Sequence, residues 1–136
     1  MKVFLDANIL FSAAKTDGAV RAMLRLLLDR GHEAWADAYV VAEARRNLVA
    51  KGPQALEVFD ALLLHLRLAA SAPSTEPAAQ VAWLPEKDRP VLAAAIRLGC
   101  HALVTGDRTH FGAGYGRMFG GVTIHSPRTL AECILA

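Results

Sequence analysis

A chain of 136 residues is long enough for one domain with a proper core and too short for two comfortable ones. Its 54% hydrophobic and 21% charged residues exclude a disordered segment, and it reads as ordinary globular material. A net charge of +2 names no partner by itself, so any field that attracts nucleic acid must come from local clustering.

The first apolar run, "KVFL" (2–5), is broken by Asp6 after four residues, which suits a strand and not a secretory leader. No uncharged stretch approaches the ~20 residues of a membrane span, so no membrane association is expected. A loop and then a helix through "AVRAMLRLLLDR" follow, ended by Gly31. "EAWA" predicts a second strand. "DAYVVAEARRNLVAK" predicts a second helix, with Asp37 at its cap and Gly52 and Pro53 closing it. "QALEVFDALLLHLRL" predicts a third helix, apolar on nearly all sides, which points to burial in the domain or in an interface. An Ala, Ser and Pro-rich turn at 70–79 precedes the helix "PVLAAAIRLG", which has Pro near its first turn and Gly99 at its end. "HALVT" and "GVTIH" are strands, and "PRTLAECILA" is a terminal helix. Between the two strands, "FGAGYGRMFGG" lacks the Gly-Lys-Ser/Thr ending of a P-loop and is expected to be a flexible loop at the edge of a site. There is no internal repeat and no linker, so residues 1–136 are expected to form one domain. Cys100 and Cys133 lack the paired spacing of a zinc site and are expected to be reduced thiols in a cytoplasmic protein.

The β-α alternation, with strands too apolar to have one wet face, predicts a parallel sheet sandwiched by helices. Ligands of such sheets sit beyond the carboxyl ends of the strands. Asp6 and Asp107 each follow a strand, so both carboxylates are expected at the same rim. Two further acids can reach it. Glu43 lies at the edge of the apolar stripe formed by Val40, Val41, Ala44 and Leu48, and Asp88 stands just before the helix opened by Pro90. Three of these acids have a purely structural alternative: turn chemistry for Asp107, pairing with Arg46 or Asn47 for Glu43, helix capping for Asp88.

Four stretches, "FLDANIL", "AEARRNL", "KDRPVLAAAIRLGCHALVTGDRTHF" and "VTIHSPRTL", in this order and spacing, resemble the PIN-domain nucleases over nearly the whole chain. The resemblance implies an α/β fold, a PIN-like three-layer α/β/α with a central parallel sheet of four or five strands. It implies that Asp6, Glu43, Asp88 and Asp107 are the catalytic, metal-binding quartet, supported by Asn8 and Thr105. The short chain is similar to the VapC-like toxins of toxin–antitoxin modules, which implies an RNA substrate, an antitoxin partner and a homodimer.

The residues themselves support a metal site. Carboxylates converging in a partly buried pocket repel one another, and a hard divalent cation removes that conflict. Mg²⁺ suits a few carboxylates and a substrate phosphate, and Mn²⁺ accepts the same set. No Cys or His is expected to join the four acids, which argues against zinc. The implied reaction is metal-assisted hydrolysis of an RNA phosphodiester bond. Asp37 has a support role at the metal site as its alternative to capping. Arg45, Arg46, Arg108, His110 and Arg117 lie near the acids in sequence and are candidates to hold substrate phosphates, a solvated surface role being the alternative for each. His32, His65, His101 and His125 are scattered and unassigned.

A non-catalytic PIN-fold module that binds RNA or protein is the competing reading. An intact acidic quartet weighs against it, because a binder of polyanions gains nothing from concentrated negative charge. A phosphoacceptor receiver or phosphatase on a doubly wound sheet would want a second acid in "DAN", where Asn8 stands.

Overall fold

The protein is described here by a computed structural model covering residues 1–72 and 78–136. Its strands are β1 (Lys2–Leu5), β2 (Glu33–Asp37), β3 (Arg67–Ala69), β4 (Ala102–Val104), β5 (Met118–Phe119) and β6 (Val122–His125). Its helices are α1 (Ala7–Lys15), α2 (Ala19–Asp29), α3 (Ala38–Lys51), α4 (Leu56–Leu63), α5 (Ala78–Val81), α6 (Arg89–Arg97), α7 (Arg108–Phe111) and α8 (Pro127–Leu135). The sheet order is β3-β2-β1-β4-β6-β5. Five strands are parallel, and the two-residue β5 adds an antiparallel edge to β6. The helices cover this sheet on both sides, giving a three-layer α/β/α fold.

The central strands are parallel because neither face can be left wet. Val3, Phe4 and Leu5 of β1 and Ala102, Leu103 and Val104 of β4 are all buried. α1 packs against α2, α3 and α4, and α2 against α8. Gly31 (φ 79°) and Gly99 (φ 68°) follow the last turns of α2 and α6 in the left-handed region, where only glycine is unstrained. From β1 the chain moves outward to β2 and β3, then crosses back to lay β4 on the other side of β1. The strand order therefore reverses between β1 and β4, and a crevice opens beyond their carboxyl ends.

The structure departs from the expected elements in several places, the short α5, α7 and β5 among them. Where a loop was expected after the first strand, Asp6 opens α1 by accepting the N–H of Ala7 at 2.7 Å, and Ile9, Leu10, Ala13 and Ala14 bury one face of that helix. The long apolar segment after Pro53 is not one helix. A single 3₁₀ turn leads into α4, which ends at Leu63, and Arg67–Ala69 then pair with β2 as strand β3. The glycine-rich stretch is packed: Trp83 stacks on Phe119 with ring centroids 4.8 Å apart and meets Phe111 edge-on at 6.3 Å. Residues 73–77 of the turn expected at 70–79 lie outside the described residues.

Candidate active-site cleft

The rim between β1 and β4 is built by short polar side chains. Register pairs Leu5 with Val104, so Asp6 and Thr105 leave the sheet side by side, and the N–H of Asp6 donates to the carbonyl of Val104 at 3.1 Å. Thr105 Oγ1 donates to Asp6 Oδ2 at 2.8 Å, and Asn8 Nδ2 lies 3.2 Å from both Asp6 Oδ2 and Thr105 Oγ1. Asn8 Oδ1 in turn accepts from the N–H of Gly106 at 2.8 Å, and Thr105 Oγ1 accepts from the N–H of Asp107 at 3.1 Å. Tyr115 adds a hydrogen bond from its hydroxyl to the Thr105 carbonyl at 2.8 Å. The turn "TGD" is thereby tied to the start of α1, and the orientation of Asp6 is fixed from two sides.

Asp6, Glu43, Asp88 and Asp107 all line one cleft of about 170 Å³, together with Asn8, Phe11, Asn47, Lys51 and Lys87. Each acid arrives by a different local device. Asp6 and Asp107 cap α1 and α7. Glu43 projects from α3 beside the buried stripe Val40, Ala44 and Leu48. Asp88 ends the 3₁₀ turn Glu86–Asp88, where Pro90 opens α6, and its side chain makes no cap bond. Glu43 has no hydrogen bond or ion pair among the described residues. The structural alternatives for Glu43 and Asp88 are thus not realised there.

The electrostatics follow from this convergence. Asp6 is 5% exposed, and burial pushes its carboxyl up to about 6. The hydrogen bonds from Thr105 and Ala7 oppose that rise, while the charges of Glu43 and Asp88 add to it. Burial also raises Asp88 above the usual carboxylate range. There the nearby His110 and Lys87 pull it down and Asp107 pushes it up.

Contrary to the expectation that no histidine would join the acids, His110 Nδ1 lies 2.9 Å from Asp88 Oδ2 and 2.9 Å from Asp107 Oδ2. These three donor atoms lie within 4.8 Å of one another. Asp88 Oδ2 and His110 Nδ1 are both buried without a well-directed hydrogen bond. Orphaned, buried donors of this kind fit a divalent cation, which needs no hydrogen-bond geometry.

The arginines proposed from sequence lie elsewhere. Arg45 pairs with Asp60 at 3.0 Å and covers the ring of Phe59. Arg46 is exposed on α3. Arg117 lies over Phe119, and Arg108 lines neighbouring grooves with Tyr115, Ser126 and Arg128. Asp37 caps α3 by accepting the N–H of Val40 at 3.1 Å and does not line the cleft. Asn47, Lys51 and Lys87 do line it and were not singled out from sequence. For Asn47 and Lys51 a signal was available, since Glu43, Asn47 and Lys51 recur every four residues along α3 and so share a face.

A family model described as PIN domain matches residues 2–109. The chain belongs to the PIN domain family. No curated protein matches this PIN domain in sequence. Among solved structures, it is similar in fold to VapBC2 from Rickettsia felis bound to a DNA fragment from its promoter, with 18% identity, TM-score 0.70, and coverage of 93% of this chain and 98% of that one. DNA-bound VapBC from Salmonella typhimurium gives 16% identity, TM-score 0.64, and 93% and 98% coverage. VapC20 from Mycobacterium tuberculosis, a toxin that cleaves the sarcin-ricin loop, gives 15% identity, TM-score 0.61, and 86% and 98% coverage.

Proposed function

We propose that this PIN domain, a single domain over residues 1–136, is a metal-dependent endoribonuclease whose catalytic and metal-binding residues are Asp6, Glu43, Asp88 and Asp107. The observation that carries the reading is that four carboxylates from four separate segments line one cleft at the strand-order reversal. Burial with like charges nearby costs the apo fold free energy, and a bound divalent cation, Mg²⁺ or Mn²⁺, offsets that cost. When bound, such a cation supplies charge neutralisation on the phosphodiester and activation of the attacking water.

The chain's own residues do the rest. Thr105 and Asn8 hold Asp6 as an oriented acceptor, so its carboxylate does not reorganise when substrate arrives. Lys51 and Lys87 line the same cleft and are candidates to meet substrate phosphates, with Asn47 as a neutral donor between Glu43 and Lys51 along α3. Phe11 offers an aromatic wall on which an unstacked base can rest, which favours single-stranded RNA. Arg108 and Arg117 lie outside the cleft and would meet only a longer substrate.

The fold shared with VapC and VapBC proteins supports a place in a toxin–antitoxin pair, with the protein in the cytoplasm. An apolar groove of about 460 Å³ between α2 and α4, lined by Leu24, Leu28, Val58 and Leu62 with Arg21 and Arg25 beside them, supports the docking of an antitoxin segment there. The exposed Leu64 and Leu68 beside α4 support a homodimer. The function is tested by incubating purified protein with single-stranded RNA and Mn²⁺ or Mg²⁺. Cleavage that EDTA stops is expected, and intact RNA at millimolar metal would overturn the reading.

A further inference from the structure

His110 does not stand outward as a phosphate clamp would. It is the third residue of α7, counted from the cap Asp107, and in that position a helical side chain reaches back over the cap. Asp107 Oδ1 accepts the backbone N–H of His110 at 3.1 Å, which turns Asp107 Oδ2 toward the imidazole. Asp88 closes the other side from the start of α6, so one ring nitrogen faces two carboxylate oxygens at 2.9 Å each. A single N–H points in one direction and can serve only one of them. Neither Asp88 Oδ2 nor His110 Nδ1 has a well-directed bond, although both are buried. Two oxygens and a nitrogen thus converge within 4.8 Å of one another, close enough to share one cation.

We propose that His110 Nδ1 is a metal ligand and that Asp88, Asp107 and His110 form a mixed oxygen-and-nitrogen site which selects Mn²⁺ over Mg²⁺. The inference rests on the metal-dependent reading above and refines it. Mg²⁺ demands hard oxygen donors in near-ideal octahedral geometry, whereas imidazole moves affinity toward first-row transition ions along the Irving–Williams order. Asp6 and Glu43, which line the adjoining cleft, add carboxylate oxygens that Mn²⁺ and Mg²⁺ both accept, so the selectivity comes from the imidazole. Ligation through Nδ1 leaves the proton on Nε2.

The test is pulsed electron paramagnetic resonance of the whole protein with one equivalent of Mn²⁺, paired with calorimetric titration of Mn²⁺ and Mg²⁺. The spectrum is expected to show coupling to a directly bonded imidazole nitrogen, and labelling the histidines with ¹⁵N should change that coupling without any substitution. His110→Ala should abolish the coupling and weaken Mn²⁺ by about 10-fold or more, with Mg²⁺ affected much less. Mn²⁺ bound without nitrogen coupling, or an unchanged Mn²⁺ to Mg²⁺ affinity ratio in His110→Ala, would overturn the proposal. RNA cleaved by a protein that lacks the coupling would leave the nuclease reading standing and remove this one. Coupling in a protein that cuts no RNA would do the reverse.

Discussion

Thr105 Oγ1 donates to Asp6 Oδ2 at 2.8 Å, joining residues 99 positions apart at the ends of neighbouring strands. That bond keeps a nearly buried carboxylate in place, although burial raises its folded value to about 6. An unfolded aspartate ionises at about 3.9. Between these values the native state holds more protons than the unfolded state, so stability falls as pH rises through the window. The metal-free protein should therefore lose stability, by roughly 3 kcal/mol from this group, between about pH 4 and pH 6. Chemical denaturation in EDTA across that range measures it. Asp6→Asn should flatten the slope, and an identical slope in that variant would show that Asp6 does not titrate in the window.

Divalent metal should reverse this loss at neutral pH. Preferential binding to the folded state contributes about 2.7 kcal/mol when free metal is ~100 times its dissociation constant. Thermal melts with and without Mn²⁺ should separate by several degrees in the parent and by much less in Asp88→Asn and Asp107→Asn. Equal shifts in all three proteins would place the metal somewhere else.

Much of this site was legible because two kinds of signal coincide in the residues. Asp6 and Asp107 each follow an apolar strand, and parallel strands bring such residues to one rim whatever lies between them. Glu43 was legible from the stripe Val40, Ala44 and Leu48, since helical periodicity fixes which neighbour stands at its edge. The placement of His110 was not. A one-turn helix has no periodicity to read, and the imidazole finds Asp88 only once β4 has carried Asp107 beside the start of α6. Helix α1 was missed although its cap and buried face are both present in "DANILFSAA", because Asp and Asn favour turns as strongly as caps. Strand β3 follows an apolar helix without a breaker. Its three residues are extended because β2 offers an unpaired edge, which is tertiary and not local information.

Gly114 is needed for the space it leaves. A Cβ built there would stand 2.5 Å from Trp83 Cη2 and 3.1 Å from Ile124 Cδ1, and Trp83 is held between Phe111 and Phe119. Gly114→Ala should cost about 1–3 kcal/mol through forced repacking. Urea denaturation checks this. A variant as stable as the parent would mean that the indole can move at little cost.

The apolar surface beside α4 predicts a dimer. Leu64 is 85% exposed, with Val58 and Leu68 also uncovered. Light scattering at tens of micromolar should report a dimer. Leu64→Glu combined with Leu68→Glu should give a folded monomer. A monomeric parent would remove the dimer from the account.

The central claim is tested most directly by single-turnover cleavage of single-stranded RNA at saturating Mn²⁺. The parent should be compared with Asp6→Asn, Glu43→Gln, Asp88→Asn and Asp107→Asn, all of which line the cleft. Asp37→Asn serves as a control, because asparagine caps a helix as well as aspartate does and Asp37 does not line the cleft. Each of the four cleft variants is expected to lose several orders of magnitude in rate, while Asp37→Asn stays within a few-fold of the parent. Four cleft variants that cut as fast as the parent would contradict the assignment of this cleft as the active site.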